Sequence, residues 1–134
     1  MKVLFEGIYS LFNTTNDFNT AVSGQMFPHK VDQEDATFPY AAYYLITDYN
    51  DYNFSDDYED FMVQFSIYSD NNSPSEVLTI FEYLKTLFDD AEPTVTGYTV
   101  LEFKRTMMRL TNGLEGDTYQ VDVDYEIKLE RERT

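Results

Sequence analysis

The sequence predicts an α+β fold, in which an antiparallel or mixed β-sheet of four to five strands is covered on one face by two main helices. Apolar residues recur at helical spacing over residues 2–12 and 74–89, whereas they alternate with polar residues over 61–68 and 119–130. The chain of 134 residues is long enough for one domain, residues 1–134, and contains no cysteine. The predicted core must therefore hold by packing alone, without cross-links.

The N-terminal part predicts two helices and one short strand. An apolar stripe defines the first helix over residues 2–12. Asn16 or Asp17 caps a short second helix, which ends at Gly24 in the left-handed conformation. Residues 25–28 follow as a short strand.

The middle of the chain predicts two strands joined by an acidic connection. Residues 40–47 are apolar on both faces, as in an interior strand, and residues 61–67 have one apolar face. Asp, Asn and Tyr crowd residues 48–60 and interrupt both patterns, which predicts a long hairpin connection.

The C-terminal part predicts one helix and a final hairpin. Ser73-Pro74-Ser75-Glu76 has the pattern of a capping box with proline at the first helical position, and it opens a helix over residues 74–89. Residues 98–110 form the next strand, and residues 119–130 form the last one. One face of this last strand is apolar and the other is charged.

Charge excludes several classes of partner. The sequence has 25 Asp and Glu against 9 Lys and Arg, a formal net charge of −16. Such a surface repels phosphate, so no specific nucleic-acid binding is expected. No apolar run approaches the roughly 20 residues of a membrane span, and Glu6 interrupts any signal-like start. The sequence therefore predicts a soluble, intracellular product without membrane contact.

No catalytic, cofactor or metal site is predicted, and the protein is expected not to be an enzyme. His29 is the single histidine and lies in a Pro-Lys context without a patterned nucleophile, which favours a surface role. Residues 48–59 place oxygen ligands at some positions of a calcium-binding loop. Tyr52 occupies a ligand position and Asn53 replaces the turn glycine, which excludes an EF-hand. A solvated loop is favoured, and a looser carboxylate site stays open.

Aromatic residues provide the first candidate interface. Twelve Tyr and eleven Phe are present, and Tyr49, Tyr52, Phe54 and Tyr58 crowd the acidic segment. Tyrosine is enriched where proteins meet, because it combines a large apolar area with a hydrogen-bonding tip. These four residues are candidate interface residues, with packing at the rim of the core as the alternative.

Carboxylates on the last strand form a second candidate surface. Asp122, Asp124 and Glu126 project from one face at two-residue spacing, about 7 Å apart. Like charges so close need screening by water or counterions, which predicts that this face is exposed in the monomer.

The order of elements resembles the tail-terminator (tail-completion) proteins of long-tailed bacteriophages. The resemblance covers nearly the full chain: an N-terminal helix with a short helical turn, Phe38-Pro39-Tyr40-Ala41 opening a strand, a second strand, the 73–88 helix and the final hairpin. It implies a structural virion protein that caps the head-proximal end of the tail tube as a hexameric ring of its own copies, ends tail assembly and offers a head-docking surface. Its partners would be the tail tube protein and the head-tail connector protein.

The resemblance implies no catalytic residue and no cofactor. It places the protein in the virion tail, and in the host cytoplasm during assembly. In such a ring, through which DNA passes, Asp122, Asp124 and Glu126 would line the channel or its mouth; otherwise they form a wet outer face. Two alternative functions stay open: a head-tail connector or minor tail protein, and an acidic nucleic-acid-mimic inhibitor module.

Overall fold

Eight elements make up the fold in the computed structural model, which describes residues 2–28, 36–50, 58–112 and 118–132, with the backbone alone for 47–50. In chain order they are α1 (Lys2–Phe12), α2 (Asp17–Ala21), β1 (Met26–Phe27), β2 (Tyr40–Asn50), β3 (Tyr58–Ser69), α3 (Ser75–Phe88), β4 (Tyr98–Asn112) and β5 (Tyr119–Arg131). None of the helices in the described part of the chain is long and apolar enough to cross a membrane.

The strands form one five-stranded sheet in the order β1-β2-β3-β5-β4. β1 runs parallel to β2, and all other neighbours are antiparallel, so the sheet is mixed. β5 is the last strand along the chain, yet it lies between β3 and β4 and is paired on both sides. The predicted α+β class and mixed sheet are confirmed.

The core lies between one face of the sheet and the helices. Alternate residues of β3 and β5 are buried on this face, together with the apolar stripes of α1 and α3. The largest fully buried side chains are Tyr125, Phe12, Phe18, Phe61, Phe65, Phe88 and Phe103. Because each strand alternates, every second side chain is left for the opposite face.

The short second helix forms as predicted. Asn16 is its N-cap, and its side chain accepts a hydrogen bond from the Asn19 backbone N–H at 2.7 Å. Gly24 follows the helix at φ +74°, the left-handed conformation that glycine adopts without a Cβ clash. The Asn16 cap and the left-handed Gly24 are therefore confirmed, but the helix ends earlier than predicted, at Ala21.

Helix α1 packs so closely on the loop before β4 that one position allows only glycine. Gly7 lies on the buried stripe of α1, and a Cβ there would stand 2.5 Å from the Thr94 carbonyl oxygen and 3.3 Å from Val95. Backbone atoms cannot rotate away as a side-chain tip can. The close approach of helix and loop therefore depends on Gly7.

Gly7→Ala is expected to lower the free energy of unfolding by about 1–3 kcal/mol, because it overpacks this contact. Helix propensity alone predicts the opposite sign, a gain of about 1 kcal/mol. Ser10→Ala, at an exposed position of the same helix, is the control and should be neutral or slightly stabilising. Urea melts of both variants measure which effect is larger. A Gly7→Ala protein more stable than the parent would contradict the close contact between α1 and the loop.

The predicted hairpin connection at residues 48–60 is wrong at both ends. Residues 48–50 of β2 pair with residues 59–61 of β3, so both strands are longer than the apolar pattern indicated. Asp and Asn are poor strand formers, but cross-strand pairing outweighs this weak preference. Residues 51–57 lie outside the described part of the chain.

The capping box predicted before α3 is not formed. The Ser75 backbone N–H donates to Ser73 Oγ at 3.2 Å, while the Glu76 carboxylate accepts from Ser69 Oγ at 2.7 Å. Ser69 is the last residue of β3, and the fold brings its hydroxyl within hydrogen-bond distance of Glu76, a proximity that the sequence pattern does not predict. The helix itself, Ser75–Phe88, matches the prediction, and its buried stripe includes Phe81 and Leu84.

Candidate interaction surface

The sheet face opposite the helices, termed the open face, carries mostly polar and aromatic side chains. β3 and β5 contribute alternate residues that point away from the core, and β2 and β4 extend the face on either side. Its central members are Tyr40, Tyr44, Gln64, Ser66, Tyr68, Lys104, Met107, Arg109, Gln120, Asp122, Asp124 and Glu126. The sequence predicted that Asp122, Asp124 and Glu126 share one face of the last strand, and in the structure they do.

Asp122 is the centre of a hydrogen-bond network on the open face. Its Oδ1 accepts from Ser66 Oγ at 2.6 Å and from Gln120 Nε2 at 2.8 Å. Its Oδ2 lies 3.6 Å from Arg109 Nη2. Ser66 Oγ is also 2.7 Å from the Tyr44 hydroxyl, so the network crosses from β5 to β2. Two hydrogen bonds and one ion pair thus compensate the carboxylate for its lost hydration.

The prediction that this face is exposed in the monomer is wrong at its centre. Asp122 is only 7% exposed, and Asp124 and Glu126 are half-buried. Neighbouring strands supply the screening that was assigned to water: Arg109 stands directly opposite Asp122, and Lys104 directly opposite Glu126. The spacing in the sequence predicted that the three carboxylates share a face. The cations that neutralise them lie on β4, and the sequence spacing could not show that β4 pairs with β5.

Burial acts on Asp124 differently. It raises the pKa of the Asp124 carboxyl, and Asp122 adds to the rise, while Arg109 opposes it. A carboxyl with a raised folded-state pKa contributes stability below its ordinary pKa of 3.8, and this contribution is lost as pH rises through the folded-state pKa.

Asp124→Asn is therefore expected to raise the free energy of unfolding relative to the parent protein at neutral pH. Below pH 3.8 the parent carboxyl is protonated in both states, so the difference should vanish. Paired urea melts of parent and variant across this range measure the difference. A difference that does not change with pH would contradict the buried environment of Asp124.

Aromatic rings cover the end of the open face near the start of β2. The Tyr40 and Tyr68 rings stack with centroids 4.8 Å apart, and the Phe38 ring lies 5.3 Å from that of Tyr40. Burial raises the pKa of Tyr68, and a hydrogen bond with Tyr44 adds to the rise. These rings therefore pack on one another at this end of the open face.

The four aromatic interface candidates are described only in part. Tyr52 and Phe54 lie outside the described residues, and Tyr49 is described by its backbone in β2. Tyr58 opens β3, is half-buried, and its ring centroid lies 6.0 Å from Lys128 Nζ. The interface role of these residues stays a prediction.

Exposed apolar side chains on the edge strands form a feature that the sequence reasoning missed. The large apolar residues that remain exposed on β2 and β4 are Leu45, Ile46, Leu101, Met107 and Leu110. Ile46 and Leu101 are skipped by the strand registers, at bulges that turn them out of the regular alternation. A bulge is set by strand pairing, so alternation alone could not locate it.

An open groove lies between α1 and β1. It has a volume of about 780 Å³, and its lining is mainly apolar, with Phe5, Tyr9 and Tyr43 among the residues. Its charged members Lys2 and Glu6 face each other, with Lys2 Nζ 3.8 Å from Glu6 Oε1. Within the described ranges, no group of three or more His, Asp or Glu side chains is arranged to hold a metal ion. His29 lies outside those ranges.

Comparison of the sequence with protein-family models and with the curated proteins gives no match. The fold, in contrast, is similar to that of a solved structure, a chain in the virion of a native gene transfer agent (GTA) particle. The TM-score is 0.74 at 8% sequence identity, over 92% of this chain and 91% of the other. At this identity the likeness establishes a shared fold, and it extends over nearly the whole of both chains.

Proposed function

We propose that this protein is a non-enzymatic structural component of a virion, and specifically a tail terminator. As a single tail-terminator-like domain, it caps the head-proximal end of the tail tube as a ring of its own copies, a hexamer. The ring ends tail assembly and presents the surface on which the head connector docks. Its partners are thus itself, the tail tube protein and the connector protein, and its location is the tail of the virion after assembly in the host cytoplasm.

The main support is the similarity in fold to a chain of a virion particle over about nine tenths of both chains. It agrees with the order of elements from which the tail-terminator resemblance was drawn. The net charge of −16 is also suited to a ring through which DNA passes, because a basic channel would bind phosphate and slow passage.

The channel position of Asp122, Asp124 and Glu126 remains part of the proposal, with a changed physical argument. Arg109 and Lys104 oppose two of these carboxylates across the strand pair. A channel lined by the open face would therefore present a charge-balanced, hydrogen-bonded surface. Weak adhesion to DNA would come from the absence of unpaired cations as much as from repulsion.

Electron microscopy of the purified protein tests the proposal, alone and mixed with tail tubes of the particle whose genome encodes it. We expect rings bound at one end of each tube, and tubes that no longer elongate when more tube protein is added. A second protein of similar size and negative charge should leave tube ends bare and serves as the control.

Two other outcomes would replace tail termination. Binding to the head connector without binding to tubes would assign the protein to the head-tail connector. If the protein is a monomer that binds neither the tubes nor the connector, but does bind a basic nucleic-acid-binding protein, it is an acidic nucleic-acid-mimic inhibitor.

A further inference from the structure

The sheet has two open edges on opposite sides. β1 pairs with β2 only at Ala41 and Ala42, and in the described part of the chain no strand pairs with the outer edge of β2 over residues 43–50. On the other side, the Phe103 carbonyl accepts from the Asp90 backbone N–H, and the outer edge of β4 beyond it, residues 104–112, has no backbone partner among described residues. Unpaired edges are templates for strand addition.

The two open stretches overlap in height along the sheet. Following the register across β5 and β3 places Met107 at the level of Tyr44. The same path places Arg105 at the level of Leu45. Members of each pair also point to the same face, because directly opposed residues share a face. Residues 104–108 of one copy can therefore lie beside residues 43–47 of another without a shift along the strands.

Both stretches carry the apolar side chains that the monomer leaves in water. Leu45 and Ile46 are 36% and 48% exposed, and Met107 is 55% exposed. Pairing of the edges would bury all three. The bulges next to these residues interrupt both edges, so a partner strand must match them, which restricts pairing to a complementary edge.

Charge favours a contact between unlike edges. β4 carries Lys104, Arg105 and Arg109 against Glu102 alone, an excess of positive charge in a chain of net charge −16. The β2 sequence has one charged residue, Asp48, which lies outside residues 43–47. Two β4 edges would bring cations together, whereas residues 43–47 of β2 carry no charge and oppose no cation.

The geometry points to a second copy of this chain as the occupant of the β4 edge, with its β2 edge over residues 43–47 paired antiparallel to residues 104–108. β2 and β4 run in opposite directions in the sheet, so the pairing is antiparallel whenever successive copies keep their strand direction. Each copy contacts one neighbour through its β4 edge and the other neighbour through its β2 edge. This is the heterologous contact that a closed ring needs. This inference rests on the proposed ring, for which it supplies the contact between subunits.

Cross-linking tests the contact, because the chain has no cysteine of its own. The double variant Arg105→Cys, Leu45→Cys places its two cysteines at the same level and on the same face in the proposed pairing. It is treated with a short bis-maleimide, alone and in the presence of tail tubes. We expect covalent trimers and larger species, since every copy can link on two sides. Each single-cysteine variant joins two copies at most. The control pair Tyr83→Cys, Leu45→Cys, which replaces the β4 position by an exposed one on α3, should give no ladder.

A charge variant gives a second measurement. Met107→Glu is expected to weaken self-association at least about tenfold in sedimentation equilibrium, because pairing would bury the new carboxylate beside Tyr44, in a stretch of the next copy that has no basic residue. Tyr83→Glu, which adds the same charge at an exposed position outside the contact, should leave association unchanged.

The outcomes separate this contact from the proposed function. Capped tubes without an Arg105–Leu45 ladder would overturn the edge pairing and leave tail termination standing. A ladder without capping would support the pairing and count against tail termination. Absence of self-association under all conditions would overturn the pairing.

Discussion

Phe88→Ala is expected to lower the free energy of unfolding by about 3–5 kcal/mol, among the largest losses that a single substitution can cause. Phe88 ends α3, is fully buried, and lies among four other rings. Its ring centroid is 4.6 Å from that of Phe65, 5.8 Å from Phe103 and 6.2 Å from Phe18. Helix and sheet residues surround the site from several sides, so the cavity cannot collapse by moving one side chain.

The chain has no tryptophan, so its unfolding cannot be followed by tryptophan fluorescence. Chemical denaturation followed by far-ultraviolet circular dichroism measures this loss of stability instead. Tyr83→Ala, at an exposed position of the same helix, is the matched control and should change stability by no more than about 0.5 kcal/mol. Equal effects of the two substitutions would mean that the buried face of α3 is assigned wrongly.

Asp122→Ala is expected to cost about 2–3 kcal/mol, although the residue lies in a charged strand of an acidic protein. Removal of the carboxylate leaves Ser66 Oγ and Gln120 Nε2 without their shortest acceptor, and it leaves Arg109 without its ion pair. The buried donors lose their compensation, whereas removal of an exposed carboxylate would relieve repulsion and cost little.

Glu126→Ala, two residues along the same face, is the control. Glu126 is half-buried, and its expected effect is about 0.5 kcal/mol or less. An Asp122→Ala protein as stable as the Glu126→Ala protein in urea melts would mean that the network contributes nothing net. Any channel test that neutralises the open face should therefore keep Asp122 and change Asp124 and Glu126.

The regular elements were largely predictable because their patterns are local. The apolar stripe of α3 and the alternation of β5 follow directly from periods that each element carries in its own sequence. The ends of β2 and β3 were not predictable, since residues 48–50 become strand only by pairing with residues 59–61. For the same reason the capping box failed: Glu76 bonds to Ser69, a residue held nearby by the packing of β3.

The candidate surface was predictable only as a set of residues on one face. Spacing placed Asp122, Asp124 and Glu126 together, but it could not show that Arg109 stands opposite Asp122. Strand order decides that neighbour, and strand order is a property of the whole sheet. The exposed edge residues Met107 and Leu45 were missed because edge and interior strands have similar apolar composition.

The central place of β5 has a consequence for how the protein is made. Synthesis delivers β3 and β4 before β5, the strand that must separate them. Until residues 119–131 leave the ribosome, β3 lacks one of its two neighbours, and β4 lacks the one strand that pairs with it in the described part of the chain. The sheet therefore closes late, and the nascent chain meanwhile exposes unpaired edges and the apolar face of β3 to its surroundings. The strong net negative charge of −16 would keep such incompletely paired chains apart by mutual repulsion.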